Sequence, residues 1–127
     1  MMHILVYLLG IAPTSINMLD GVGRTPLNIA CNNKNMTVEV VQFIFNLWPG
    51  ALSQRHYHLH RVGGFLPIHF LCFCSDGIAS LEILQFMLSI NPNLPRELDG
   101  EEIDDEHDSL LPIHHAVKEG KLNSVNF

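Results

Sequence analysis

Three histidines alternate in the stretch SQRHYHLHRVGG, at His56, His58 and His60. On an extended segment, residues two apart share a side, so the three imidazoles would line one edge. Zinc and nickel both accept such a ligand set. A structural metal site also needs a fourth ligand and a supporting shell that orients the rings. Nothing nearby in the sequence supplies either, so the stretch reads as a solvated finger, with His56, His58 and His60 as the only candidate metal ligands.

The acidic stretch ELDGEEIDDEHD invites a calcium reading and fails it. With Asp99 as first ligand, Gly100 falls second rather than sixth and apolar Ile103 falls at a ligand position. Cys31 and Cys72 each stand five residues after a proline, and small buried packing residues account for them better than reactive thiols, since no basic partner lies close in sequence. No nucleophile with a base at an enzyme-like spacing and no phosphate-cradling glycine loop is present. The sequence therefore points to no catalytic residue and no cofactor.

The elements that carry these stretches repeat. GRTPLNIAC, GFLPIHFLC and SLLPIHHAV align without gaps on Pro26, Pro67 and Pro112, 41 and then 45 residues apart. TVEVVQFIFNLWP lies over SLEILQFMLSINP at an offset of 43, and LVYLLGIAP matches the end of that block up to its closing Pro13. Proline is suited to the first turn of a helix, where its missing N–H has no partner to lose. Each proline-led segment should therefore open a short first helix. Thr37 and Ser80 are expected as N-caps of second helices, with Glu39 and Glu82 placed where the helix dipole favours negative charge. Those helices should stop near Pro49 and Pro92. Both are apolar nearly all round and need cover on several sides, which stacking of units provides.

A proline-led first helix, a turn, a second helix and a connecting finger resemble the ankyrin repeat, whose signature is T-P-L-H-x-A. LPIHHAVKEGKLNSV from Leu111 to Val125 is the closest match and GRTPLNIA the next. The resemblance implies an all-α fold, an ankyrin-repeat solenoid of stacked helix-turn-helix units with long connecting fingers. Its units would be a partial repeat over 1–22, repeats over 23–63 and 64–108, and a partial repeat over 109–127. Two departures stand out. The fingers are long, with 18 residues from Pro49 to Pro67 and 20 from Pro92 to Pro112. The threonine and histidine of the signature also never occur together: Thr25 is followed by Asn28, while His69 and His114 follow Leu66 and Leu111.

Members of the family bind other proteins through finger tips and the exposed face of the first helices. Carried over, this implies a non-catalytic interaction scaffold, with Arg55, His56, Tyr57, His58 and Arg61 on one finger and Glu101, Glu102 and Asp104 on the next. Neighbouring fingers of opposite charge would also attract each other, the more so as histidines protonate. The chain opens inside what reads as a second helix and closes about one turn into another, so a piece of a longer array without a function of its own is a second expectation. Whether the reading frame continues with repeat-like sequence separates the two.

Composition narrows the partners. Of the 127 residues, 47% are hydrophobic, as in a folded domain. The net charge of −6 arises mainly from one stretch, since eight of the thirteen acids lie between Glu97 and Asp108. Without a basic face, nucleic acid is not an expected partner. The apolar run MMHILVYLLGIAP is too short for a bilayer and lacks the basic start of a signal segment. Three cysteines without a CxxC spacing suggest a reducing, cytoplasmic or nuclear setting.

Overall fold

The computed structural model describes residues 2–56, 64–74, 79–99 and 110–118. Every regular element among them is helical: α1 (Met2–Ile11), α2 (Pro26–Cys31), α3 (Val38–Leu47), α4 (Pro67–Cys74), α5 (Ser80–Ile90) and α6 (Pro112–Lys118), with 3₁₀ turns at Pro13–Asn17, Pro49–Ser53 and Leu94–Arg96. The fold is all-α. Among the described residues, no helix is long and apolar enough to cross a membrane.

The short helices α2, α4 and α6 each begin on the expected proline. They pack in series, α2 on α4 and α4 on α6, while α3 packs on α5. Two of the short helices also lie on the longer one that follows, α2 on α3 and α4 on α5. The core runs continuously between these two rows. Equivalent residues serve it in successive units: Val40 and Ile83 are buried alike, as are Ile44 and Met87. Phe45 of α3 meets Phe86 of α5 edge to face at 5.4 Å between ring centres, a favourable aromatic geometry.

The longer helices differ from expectation in two ways. Thr37 caps α3, its side chain accepting from the Val40 N–H at 3.4 Å. Ser80 does not cap α5: the cap position falls to Ala79, and Ser80 is the buried first residue of the helix. Nor are these helices covered all round. The stripe of Val40, Val41 and Ile44 is buried, whereas Leu47 and Ile90 at the helix ends stay exposed. The 3₁₀ turn after each longer helix was not foreseen. Each turn sends aliphatic residues into the core, Ile16 in the first, Ala51 and Leu52 in the second and Leu94 in the third, so the chain leaves the helix without losing apolar burial.

Candidate functional site: the finger necks and the first helices

Each finger rises from a two-residue neck seven residues after a closing proline and two before an opening one. The Asp20 N–H donates to the Arg24 carbonyl at 3.0 Å, that of His56 to Phe65 at 2.8 Å, and that of Asp99 to Leu110 at 3.0 Å. The return bond differs. Phe65 donates its N–H to the His56 carbonyl at 3.0 Å, which makes His56 and Phe65 an isolated antiparallel bridge. In the other two necks a carboxylate accepts instead, Asp20 from the Arg24 N–H at 2.9 Å and Asp99 from the Leu110 N–H at 2.9 Å. The Arg24 N–H holds the Asp20 carboxyl below the usual carboxylate range.

Two residues beyond the neck, the first helix is capped in one of two half-measures. Thr25 accepts from the Asn28 N–H at 3.0 Å, which is the forward half of a capping box. His69 and His114 supply the reverse half: Nδ1 of each accepts from the N–H of Leu66 or Leu111 at 2.9 Å. The split signature therefore costs neither turn its anchor. Each proline-led helix begins with one orphan donor satisfied.

His69 continues into the next unit. With Nδ1 accepting, its Nε2 donates to the Glu97 carbonyl at 2.7 Å. Its ring lies edge to face with His115 at 5.9 Å, and Phe65 stands 5.8 Å from His115. Burial brings the His69 pKa down from 6.5 to about 4, although the Glu97 carbonyl and the Asp99 carboxylate pull the other way. Folded His69 therefore binds a proton only near pH 4, while an unfolded chain takes one up near pH 6.5. Stability from the neutral ring is complete above pH 6.5 and is lost as pH falls toward 4. We expect roughly 1 to 2 kcal/mol lost from this group between pH 7.5 and 5.5. Urea melts at the two pH values check this: His69→Asn should be less stable at pH 7.5 and should show a shallower loss on acidification.

Asn28 occupies the position of His69 one unit earlier. It is buried, and neither its side-chain oxygen nor its nitrogen has a hydrogen-bond partner among the described residues. An amide is too short for the span that an imidazole covers. By register the acceptor for a longer side chain is the carbonyl of Gln54, which corresponds to Glu97. Asn28→His should therefore complete the cap with Thr25 and remove two unsatisfied buried atoms, raising stability by about 1–2 kcal/mol. A thermal melt reads the gain, and a lower melting temperature would contradict the register.

The same position on successive helices also changes chemistry. Phe70 of α4 lies against His56 at 5.7 Å between ring centres. His115, its equivalent on α6, instead donates Nε2–H to the Asp99 carboxylate at 2.6 Å, with Asp99 fully buried. An aromatic contact in one unit thus becomes a charge-assisted hydrogen bond in the next.

Of the residues expected to face a partner, Arg55 and His56 are committed to the necks. Arg55 donates to the Gly64 carbonyl at 2.9 Å and the Leu98 carbonyl at 2.7 Å, and pairs with Glu97 at 3.2 Å. It belongs to one neck and fastens the next. His56 donates Nε2–H to the Val22 carbonyl at 2.9 Å, which ties it to the neck before. Both therefore link successive units. Tyr57, His58, His60, Arg61, Glu101, Glu102 and Asp104 lie outside the described residues. Among the described residues, no group of three His, Cys, Asp or Glu side chains is placed to hold a metal ion. Cys31 is a buried free thiol and Cys72 is buried as well; burial pushes the Cys31 thiol up.

Sequence reasoning passed over Gly64, Phe65, Glu97 and Asp99. The available signal was register: Asp20, His56 and Asp99 each stand seven residues after a closing proline. No protein-family model matches the chain, and no curated protein matches it either.

Proposed function

We propose that the chain is an ankyrin-type repeat module that binds another protein without catalysing a reaction, in a reducing, cytoplasmic setting. One observation carries this reading. Arg55, on one neck, is bonded to the carbonyl of Leu98 and the carboxylate of Glu97 on the next. This fastening holds the bases of the two long fingers together. Repeat proteins bind partners on the extended surfaces that stacked units create. The tips then carry the recognition, with Tyr57, His58 and Arg61 on one finger and Glu101, Glu102 and Asp104 on the other. The opposite charge of the two stretches suits a partner that presents both signs.

The test uses two triple-alanine variants, one for each tip. The full chain and both variants are immobilised, bound proteins are identified, and each interaction is then measured by titration with purified partner. The reading expects a partner whose affinity falls at least about tenfold in one or both tip variants, with melting temperatures unchanged. A partner that binds both variants as tightly as the parent would remove the tips from the account.

A further inference from the structure

Position-by-position burial on the three first helices shows that each has a front and a rear. Ile29, Phe70 and His115 are equivalent. Phe70 and His115 are 5% and 8% exposed, but Ile29, on the first helix of the series, is 41% exposed. This is the front, which faces the preceding unit. Leu27, Ile68 and Ile113 are also equivalent, and here the last is the odd one: 1%, 1% and 54%. Cys31, Cys72 and Val117 follow the same order, buried, buried and 62% exposed. This is the rear, the side that the preceding unit leaves uncovered. Inside the chain, α2 packs on α4 and α4 on α6. Among the described residues, one front and one rear are left uncovered.

The uncovered front is a groove. A volume of about 480 Å³ opens between α1, the first neck and α2, lined by Leu5, Met18, Leu19, Ile29, Met36 and Val40. Beside it, α1 buries none of its residues and exposes Ile4, Val6, Tyr7 and Leu8. By register α1 is a second helix, matching the end of α3 and α5. Among the described residues it has no first helix beside it. The uncovered rear belongs to α6, which is a first helix.

We propose that two copies of this chain associate head to tail, with the rear face of α6 from one copy seated in the groove between α1 and α2 of the other. The occupant follows from the internal contact, because this placement repeats the packing of successive first helices that already occurs twice. It sets a first helix against a second helix that has no other one beside it. It also covers Ile29 with Ile113 and Val117, apolar on apolar. His114 fixes the register. Its Nδ1 already accepts from Leu111 as that of His69 does from Leu66, and His69 directs Nε2 to the Glu97 carbonyl of the next unit. The residue of the first unit that corresponds to Glu97 is Met18, which lines the groove. His114 therefore donates to the Met18 carbonyl of the second copy. Such a contact is heterologous and leaves one front and one rear open, so association continues past the dimer as concentration rises.

Sedimentation velocity on the 127-residue chain over a wide range of concentration tests this without reference to the finger tips, so its outcome is separate from that of the partner-binding reading. The parent chain should form a concentration-dependent ladder of dimers and longer species. Ile29→Glu blocks only the groove and Ile113→Glu only the rear face. Each variant alone should stay monomeric where the parent associates, with self-affinity at least about tenfold weaker. Both substitutions are at exposed positions, and circular dichroism confirms that each variant folds. Mixed in equal amounts, the two should form a dimer and nothing larger, since one intact groove and one intact rear face remain. A parent chain that is monomeric throughout overturns the proposal. So does a ladder that persists in either single variant, or a mixture that stays monomeric.

Discussion

Asp99→Ala lowers the free energy of unfolding by about 3–5 kcal/mol, the loss expected when one partner of a buried hydrogen-bonded pair is removed. Asp99 is fully buried, and its carboxylate accepts from the Leu110 N–H at 2.9 Å and from His115 Nε2 at 2.6 Å. Truncation opens the third neck and removes the acceptor of the imidazole N–H of His115 in a site closed by Phe65 and His69. For a domain of ordinary stability, that loss is a large part of the total. Asp99→Asn, which keeps an acceptor for Leu110, should lose less. The preceding unit suggests a sharper comparison, because the same two positions there hold His56 and Phe70 in ring contact. The double replacement Asp99→His with His115→Phe copies that pair and should stand closer to the parent than Asp99→Ala does. Urea denaturation gives all four values, and an Asp99→Ala variant within about 0.5 kcal/mol of the parent would mean that the pair is not a support of the stack.

Gly64→Ala costs about 2–3 kcal/mol, toward the upper end of overpacking because the obstructing atoms are backbone. A Cβ at Gly64 would stand 2.8 Å from the His56 carbonyl carbon, closer still to its oxygen, and 3.3 Å from the Arg55 Cβ. Neither peptide can give way cheaply. His56 is held in the bridge to Phe65, and Arg55 is bonded to the Gly64 carbonyl itself. The glycine thus permits the two sides of the neck to close and lets Arg55 reach across to Leu98. Gly21→Ala is the control, since its Cβ would meet nothing within 4 Å, and it should change stability by less than about 0.5 kcal/mol. Equal small effects at both glycines would show that the first long neck is not closed as described.

Much of this arrangement was legible because its causes are local. Pro26, Pro67 and Pro112 open helices since proline's fixed backbone angle and missing N–H suit that position and few others. The Thr37 cap is local in the same way. The same logic fails at Ser80, where the serine becomes the buried first residue of the helix and Ala79 takes the cap position. Burial of Ser80 outweighs its preference for a cap. The necks were hidden for a different reason. Asp99 lies in a stretch of eight acids, and a charge run reads as solvated because most of its members have no partner in sight. Its two partners, Leu110 and His115, are 11 and 16 residues away, and no local rule connects them. Arg55 and His56 were drawn to the finger tip by their neighbours Tyr57 and His58, whereas their bonds run to the adjoining necks. Register between units was the one signal that could have separated them from the tip.

The central claim is that successive units close and stack in the same way, so that equivalent positions do equivalent work. Hydrogen exchange followed by NMR tests it most directly, on the amides of His56, Phe65 and Leu66 in one unit and of Asp99, Leu110 and Leu111 in the next. These donate to neck partners or to the Nδ1 of the capping histidine. The account predicts that all six exchange slowly and lose protection together as denaturant is added. Protection in the first set, with exchange at unfolded-chain rates in the second, would contradict it.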